Sequence, residues 1–211
     1  MNVCYIFSAG DRTPADFQKD DSDMVIAADA GLLYARGSGF EPDVIIGDFD
    51  SLGYKPEGKS VITLPVRKDV TDTRYAVEYA LKAGFKKIII YGGLGGERLD
   101  HSLSNIADCA FAARNGADCR LIGARQTVAA VHNGKIKFPA SCTGNISVFA
   151  FGGAAKGVTE RGLSFEADNL TLSPDNASLG ASNEFVGQEA EISVMDGTVV
   201  IVWSVESGVR S

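Results

Sequence analysis

The sequence lacks three features, and each absence excludes a class of protein. It has no C-x-x-C pair, because its four cysteines are scattered, so neither a zinc knuckle nor a dithiol redox motif is encoded. It has no apolar run of about 18 residues, the minimum for a membrane-spanning helix. It also has no excess of positive charge, and the formal net charge of -7 argues against a surface that follows nucleic acid or anionic lipid by bulk electrostatics.

What remains is the composition of an ordinary folded protein. The chain has 211 residues, of which 45% are hydrophobic and 22% charged, enough for one large domain or two small ones with a full core. The first residues, MNVCYIFSAGD, lack the basic start and the long apolar run of a signal peptide. Together with the unpaired cysteines, this predicts a protein of the reducing cytoplasm.

The first part of the chain alternates short apolar runs with helical patterns, which is typical of an α/β fold. Thr71 and Asp72 suit a helix start and Gly84 its end, and a second helix is predicted from about His101 to Asn115. The predicted strands are residues 2–7, 24–28, 44–46, 60–64 and 87–91.

The pattern changes after about residue 124, where strand-like runs are joined by turns. Asn-Gly in HNGK and Asp-Gly in MDGT are hairpin signals, and no helical pattern remains. The predicted strands in this part include residues 127–131, 145–151 and 199–205. We therefore predict an α/β domain with a parallel sheet over residues 1–124 and a smaller all-β sandwich domain over residues 125–211.

Carboxylates follow the predicted strands at the points where the strands end. Asp48 and Asp50 come after an apolar run in VIIGDFDSLG, and strand-like alternation would point both side chains the same way. Two such charges need a counter-charge, a shared proton or a metal ion, unless they belong to a solvated turn and bond their own backbone. Further polar residues at strand ends are Asp29, Ser51, Lys68, Thr71 and Asp72. Because ligands of open parallel sheets bind outside the carboxyl ends of the strands, these residues predict one shared mouth.

A glycine-rich loop, GGLGGERLDH, follows the fifth predicted strand. Gly93, Gly95 and Gly96 allow the close backbone approach or positive φ that a phosphate-binding loop requires, although such a loop is as often a simple turn. Arg98 would add a forked donor for phosphate, and Asp100 would add another carboxylate. Together, the carboxylates, the basic residues and the glycine loop predict one binding cleft. Its carboxylates would bind Mg²⁺, and its basic and backbone N–H groups would bind a polyphosphate.

Four motifs occur in order over nearly the whole chain: GDFDS, KDVTD, GGLGGERLDHSLSN and, near the C-terminus, GASNEF. With this order and spacing the sequence resembles the thiamine pyrophosphokinase family. The resemblance implies an α/β nucleotide domain and a β-sandwich domain in a homodimer, with ATP and thiamine as substrates and Mg²⁺ as cofactor. The implied reaction moves the β,γ-diphosphoryl group of ATP to the hydroxyethyl oxygen of thiamine, giving thiamine diphosphate and AMP.

The resemblance also implies roles for residues of both domains. The implied catalytic and metal-binding carboxylates are Asp48, Asp50, Asp72 and Asp100. The implied ATP- and phosphate-binding residues are Asp29, Ser51, Lys68, Thr71, Gly93, Gly95, Gly96 and Arg98. The implied thiamine-binding residues are Ser182, Asn183, Trp203 and His101. The acceptor of the alcohol proton stays open between Asp48, Asp72 and Asp100.

Two positions depart from the family's pattern. Ala30 follows Asp29 where the family has D-G-G, which is harmless if residue 30 has a negative φ. Glu97 lies between the last glycine and Arg98, where many members run Gly-Gly-Arg, so Arg98 is displaced by one residue.

Trp203, the single tryptophan, lies in the apolar stretch VVIVWSVES. Alternation places Val199, Ile201 and Trp203 on one face of a strand together with Val205. The resemblance implies that the indole covers the thiazolium cation of thiamine held by the other subunit, as a cation–π contact. The alternative is a core or edge tryptophan of the β-sandwich.

Two rival functions fit parts of the pattern. A strand followed by D-x-D also serves a Mg²⁺-dependent phosphatase with an aspartyl nucleophile, which would form a phosphoenzyme at Asp48. A nucleotide-binding or thiamine-binding module without catalysis is the rival from another class. Release of AMP from ATP only when thiamine is present separates both rivals from diphosphoryl transfer.

We expect Asp50→Asn to leave folding nearly unchanged and to lower kcat by roughly 10² or more, because one metal-facing charge is lost while the shape is kept. Steady-state kinetics at saturating Mg²⁺, with circular dichroism as the folding control, measures both effects. Near-normal turnover would mean that Asp50 is only a turn residue.

Overall fold

The structure, a computed structural model, describes residues 2–204, and the chain divides into two compact units. The first unit comprises the chain up to Asp108 together with Cys119–Ala124, and the second comprises Cys109–Asp118 together with the chain from Arg125. Residues 205–211 of the predicted second domain, including Val205, lie outside the described residues. Within residues 2–204 no helix is long and apolar enough to cross a membrane.

The first unit is built on parallel strands, as the α/β pattern predicts. Its strands are β1 (Cys4–Phe7), β2 (Met24–Ala28), β3 (Val44–Gly47), β4 (Val61–Thr63), β5 (Lys87–Tyr91) and β6 (Asp118–Ile122). Their order is β6-β5-β1-β2-β3-β4, and β1 is parallel to both β2 and β5. The chain therefore adds strands first on one side of β1 and then on the other. A ligand crevice is expected at such a switch point, outside the carboxyl ends of the strands.

Three helices connect these strands: α1 (Gly31–Gly37), α2 (Asp72–Lys82) and α3 (Leu99–Arg114). The predicted start of α2 is confirmed, because the Thr71 side chain accepts a hydrogen bond of 3.1 Å from Arg74 N. The helix ends before Gly84, whose φ of +88° suits a residue without a Cβ. Helix α3 begins two residues before the predicted His101, which places Asp100 in its first turn.

The second unit is a β-sandwich. Its strands are β7 (Gln126–His132), β8 (Lys135–Phe138), β9 (Asn145–Ala150), β10 (Ala155–Arg161), β11 (Ala167–Leu172), β12 (Asn183–Glu184), β13 (Ala190–Ser193) and β14 (Thr198–Ser204). Antiparallel pairing gives the orders β12-β9-β14-β7 and β11-β10-β13-β8. A short 3₁₀ helix, Pro174–Gly180, is the one helix that begins in the described chain after residue 124. Buried apolar side chains of both sheets form one core.

The two predicted hairpins of this unit are turns, but they are not hairpins. The HNGK turn connects β7 to β8 and the MDGT turn connects β13 to β14, yet β8 pairs with β13 and β14 pairs with β7. Each turn therefore carries the chain from one sheet to the other. The turns also contact one another, since Gly197 N donates to Asn133 Oδ1 at 2.8 Å. The local turn signal was sufficient for the turn and insufficient for the strand pairing.

Trp203 lies on β14 and points into the sandwich core, where 9% of it is exposed. Its ring packs edge-on against Phe138, with 5.2 Å between the ring centroids and 76° between the ring planes. Val199 and Ile201 belong to the same core, as alternation along the strand predicts. This burial favours the core interpretation over a position at the rim of the sandwich. Stacking of Trp203 on thiamine stays a prediction.

We expect Trp203→Ala to lower the free energy of unfolding by about 3–5 kcal/mol, because it would leave a large cavity in a packed core. Urea denaturation followed by circular dichroism measures this. Phe165→Ala is the matched control, because that ring is 71% exposed and its loss is expected to change stability by about 0.5 kcal/mol or less. If Trp203→Ala lowers the free energy of unfolding no more than Phe165→Ala does, the core interpretation is contradicted and an accessible indole that can face a ligand is favoured.

Candidate functional site

The first unit has an open cavity of about 780 Å³ outside the carboxyl ends of its central strands. It is lined by the segments that follow β1, β2 and β5 and by the starts of α2 and α3. Of the thirteen predicted site residues that belong to the first unit, ten line this cavity: Asp29, Ser51, Lys68, Thr71, Asp72, Gly93, Gly95, Gly96, Arg98 and His101. Three do not, namely Asp48, Asp50 and Asp100. Most of the predicted residues therefore line a single cavity, whereas three of the predicted carboxylates are not part of its lining.

Lys68 joins two of the carboxylates. Its Nζ lies 2.6 Å from Asp48 Oδ2 and 3.0 Å from Asp72 Oδ1, and all three side chains are mostly buried. Asp48 follows β3 and Asp72 is the first residue of α2, so the lysine connects the ends of two elements. The counter-charge that two neighbouring carboxylates require is thus supplied by this chain.

The three groups respond differently to this arrangement. The hydrogen bond from Lys68 lowers the pKa of Asp48. Burial acts to lower the pKa of Lys68, but its pairs with Asp48 and Asp72 outweigh burial and raise that pKa. Burial raises the pKa of Asp72 despite the same lysine, and the negative charges of Asp48 and Asp29 act in the same direction. Asp72 is therefore the carboxylate for which an added cation would relieve the most unfavourable charge.

The strand alternation from which Asp48 and Asp50 were predicted to project together does not reach these two residues. Strand β3 ends at Gly47, and Phe49 has a φ of +63°, so the backbone is not extended here. Phe49 is buried against Leu32 and Ile45. Asp48 Oδ1 instead accepts a hydrogen bond of 3.3 Å from Asp50 N, the turn geometry considered as the alternative. The turn and the charge site coexist, because the other oxygen of Asp48 binds Lys68.

Arg98 and Asp100 form a forked pair at the start of α3. Arg98 Nη2 lies 2.6 Å from Asp100 Oδ2, and Arg98 Nε donates to Asp100 Oδ1 at 2.9 Å. This hydrogen bonding lowers the pKa of the exposed Asp100 to about 2. Both side chains are well exposed, so the pair contributes little to stability. The guanidinium is available for exchange with another anion.

Two further details concern the glycine positions. Ala30 has a φ of −62°, so its departure from the family's glycine requires no strain. Gly92 has a φ of +67°, and a Cβ there would collide with the carbonyl oxygen of Ser8. Glycine is therefore required at the start of the loop by close approach to the segment after β1.

The carboxylates do not form a ready-made metal cage. Within residues 2–204 no group of three or more His, Cys, Asp or Glu side chains is arranged to hold a metal ion. Two buried carboxylate oxygens are nevertheless available. Within residues 2–204, Asp29 Oδ1 and Asp72 Oδ1 accept no aligned hydrogen bond. Lys68 Nζ lies 3.0 Å from Asp72 Oδ1 as an ion pair. Oxygen donors of this kind fit a hard divalent cation that also binds substrate phosphates.

The sequence analysis missed four polar residues that line the cavity: Ser8, Thr73, Ser102 and Asn105. Ser8 Oγ and Thr73 Oγ1 are 2.9 Å apart and connect the end of β1 to α2. Asn105 Nδ2 donates to the carbonyl oxygen of Gly93 at 2.8 Å. The one available signal was the spacing of Ser102 and Asn105, three residues apart on one face of α3.

Two of the predicted thiamine residues lie together in the second unit. Ser182 is exposed with a φ of +63°, and its N–H donates to Ser147 Oγ at 3.1 Å. Asn183 is buried, and its amide makes four hydrogen bonds. Oδ1 accepts from Phe165 N and Glu184 N, both at 2.9 Å, while Nδ2 donates to Phe165 O at 2.7 Å and Glu160 Oε2 at 2.9 Å. The Asn183 amide therefore fixes the backbone around Phe165.

Glu160 is a buried carboxylate in this network. It is 5% exposed, and its Oε2 accepts the hydrogen bond from the neutral Asn183 amide. Burial raises the pKa of Glu160, and the bond from Asn183 offsets only part of this effect. The second unit thus holds one carboxylate whose charged form is disfavoured by folding.

Comparison with known families identifies both units. A model described as "Thiamin pyrophosphokinase, catalytic domain" matches residues 17–121, and "Thiamin pyrophosphokinase, vitamin B1 binding domain" matches residues 133–199. The second match ends before Trp203. Comparison with curated protein sequences gives no match.

Solved structures share the fold. The thiamine pyrophosphokinase of Bacillus subtilis has a TM-score of 0.81 at 22% identity, with 98% of this chain and 100% of that chain covered. The Geobacillus thermodenitrificans protein has a TM-score of 0.80 at 21% identity, covering 99% of each chain. The yeast thiamin pyrophosphokinase has a TM-score of 0.73 at 17% identity, covering 97% of this chain and 86% of that one.

Glu160→Gln is expected to flatten the pH dependence of stability. A raised pKa means that the folded state keeps a proton which the unfolded chain releases, so wild-type stability falls as the pH rises above the ordinary value of 4.5. The glutamine stays neutral and still accepts from Asn183, so the stability advantage of the variant should grow from pH 4.5 to 7. Urea denaturation at several pH values measures it, with the exposed Glu189→Gln as control. Equal pH dependence in wild type and Glu160→Gln would refute the argument.

Proposed function

The chain belongs to the thiamin pyrophosphokinase family, which makes thiamine diphosphate with ATP, and we propose that the cavity of the first unit is where this ATP binds. The diphosphoryl group then passes to the hydroxyethyl oxygen of thiamine, and AMP is released. The observation that supports this site best is the placement of Lys68 between Asp48 and Asp72 at the cavity wall. One mobile cation beside two carboxylates suits a ligand that brings both phosphate charges and a metal ion.

The phosphates are proposed to meet three kinds of donor. Lys68 offers an ammonium, Arg98 offers a guanidinium fork, and the glycine loop offers the backbone N–H groups of Gly93, Gly95 and Gly96. Thr71 and Ser51 line the same cavity and supply hydroxyl groups. Phosphoryl transfer depends mainly on positioning and charge neutralisation, and this donor set performs both tasks.

Mg²⁺ is proposed as the cofactor. The proposed ligands are the carboxylates Asp48, Asp50, Asp72 and Asp100, and the orphaned buried oxygen of Asp29 adds a fifth candidate beside Asp72. Such an ion is usually held by one or two carboxylates plus substrate phosphates, so a cage of three protein ligands is not required. When bound, it would neutralise charge on the transferring group. Lys68 and Arg98 exchange their carboxylate partners for phosphate oxygens in this proposal.

Thiamine is proposed to bind on the second unit, within the region matched by the vitamin B1 binding model. Ser182 is exposed there, and Asn183 shapes the adjoining backbone through its four hydrogen bonds. His101 and Trp203 remain further proposed contacts, although the burial of Trp203 argues for a core role.

A homodimer with thiamine between subunits is also proposed, since Leu99 and Leu103 expose 72% and 59% of their surface one helical turn apart on α3. This is an unusual amount of apolar surface for neighbouring positions of one helix. No disulfide bond joins any of the four cysteines, which suits the cytoplasm.

The phosphatase alternative is disfavoured by the position of Asp48. A nucleophile at Asp48 would have to release both Lys68 and Asp50 N, whereas a metal ligand that keeps the bond from Asp50 N exchanges only the lysine.

A coupled assay for AMP tests the proposed function. With ATP, Mg²⁺ and thiamine, we expect AMP and thiamine diphosphate in equal amounts, because cleavage falls between the α- and β-phosphates. Without thiamine, AMP release should fall to background. ADP as the stoichiometric product would contradict diphosphoryl transfer. Release of phosphate without thiamine would support the phosphatase alternative instead. Absence of any nucleotide turnover would support a binding module without catalysis.

A further inference from the structure

The glycine loop, residues 92–96, is anchored through its carbonyl oxygens. Two anchors come from the backbone after β1: Gly10 N donates to the oxygen of Gly92 at 2.7 Å, and Asp11 N donates to that of Leu94 at 3.1 Å. These bonds attach the loop to the neighbouring strand of the sheet. They depend on backbone atoms, so side-chain replacement does not remove them directly.

Two further anchors come from side chains of α3. Asn105 Nδ2 donates to the carbonyl oxygen of Gly93 at 2.8 Å, and Ser102 Oγ donates to that of Gly95 at 3.4 Å. Asn105 and the oxygen it binds are buried, and its bond is the shorter of the two. Four successive carbonyls of the loop, those of residues 92–95, are therefore all occupied by donors of the surrounding scaffold.

This anchoring determines where the loop's N–H groups point. In a trans peptide the C=O and the following N–H are antiparallel, so each N–H of residues 93–96 points away from the donor that binds the carbonyl of the same peptide. Within residues 2–204 none of these N–H groups has a hydrogen-bond acceptor. Gly95 and Gly96 have φ values of +75° and +78°, a left-handed geometry found in the anion-binding concavities made by successive N–H groups.

We infer that Asn105 is a positioning residue for the phosphates of ATP: by holding the carbonyl of Gly93, it fixes the peptide between Gly93 and Leu94 and with it the course of the glycine loop along the cavity wall. It does so without contacting the reacting atoms. Loss of this donor leaves a buried carbonyl unpaired, and rotation of that peptide to recover a partner would turn the next N–H out of alignment. The inference rests on the proposed function, because it takes ATP as the ligand of the cavity.

The test is calorimetric binding of ATP with Mg²⁺ in the absence of thiamine. Asn105→Leu keeps a similar size but has no donor, and we expect its Kd for ATP to rise about tenfold, as the loss of one well-placed interaction would. In steady-state assays its KM for ATP should rise while its KM for thiamine stays unchanged. Ser102→Ala, which removes the longer bond, should weaken ATP binding in the same direction by about twofold.

Asn115→Leu is the matched control, because Asn115 also donates from Nδ2 to a backbone carbonyl, that of Phe111 at 2.9 Å, but is exposed at the end of α3. Its ATP affinity should equal that of the wild type. A lower melting temperature of Asn105→Leu with unchanged ATP affinity would overturn the inference and leave Asn105 a structural residue. If Asn105→Leu fails to fold, unchanged ATP binding by Ser102→Ala overturns it. Wild-type protein that binds ATP but makes no thiamine diphosphate would refute the proposed function alone.

Discussion

One ammonium group between two carboxylates is the interaction on which the proposed nucleotide site depends. Lys68, Asp48 and Asp72 come from three successive segments, after β4, after β3 and at the start of α2, and their ion pairs bring these segments together. Partial burial imposes a desolvation cost that offsets much of the Coulomb attraction, so the arrangement specifies geometry more than it adds stability. In the proposed function the same charges are redistributed. The lysine would then bind phosphate oxygens, and a divalent ion would bind the carboxylates.

The topology of the sheet explains why glycines accumulate beside this ion pair. Because β5 lies next to β1, the segments that follow the two strands meet, and Gly10 N bonds the carbonyl of Gly92 at 2.7 Å. A Cβ on either glycine would collide with backbone atoms of the other segment. The absence of side chains leaves N–H groups exposed at the position where α3 begins. The close approach of the two segments and the proposed anion site of the glycine loop would therefore have one cause, the adjacency of two parallel strand ends.

Sequence reasoning succeeded where one physical effect dominates and failed where a distant contact decides. Strands β2 and β5 have the predicted bounds, because short runs of buried β-branched residues leave few alternatives. The strand alternation predicted at Asp48 and Asp50 is absent, because β3 ends at Gly47 and the buried Phe49 has a positive φ. The hairpins failed because strand pairing is nonlocal. Among the candidate site residues, those at strand ends were predictable from topology, whereas Asn105 acts through a loop that is twelve residues away in the chain, a contact no local pattern encodes.

Two asparagines that end or interrupt motifs show a common use of the side-chain amide. Asn105 closes GGLGGERLDHSLSN and holds a carbonyl of the glycine loop, and Asn183 lies in GASNEF and holds both the N–H and the C=O of Phe165. A side-chain amide can donate and accept hydrogen bonds at once. It can therefore supply the hydrogen bonds that a neighbouring strand would otherwise give to a backbone segment. An aspartate of the same shape could not donate to either carbonyl and would bury a charge. Asn105 and Asn183 are thus each required by the backbone segment whose carbonyl they bind. In the proposed function, the conformation of a ligand-binding segment would then depend on a side chain that does not contact the ligand.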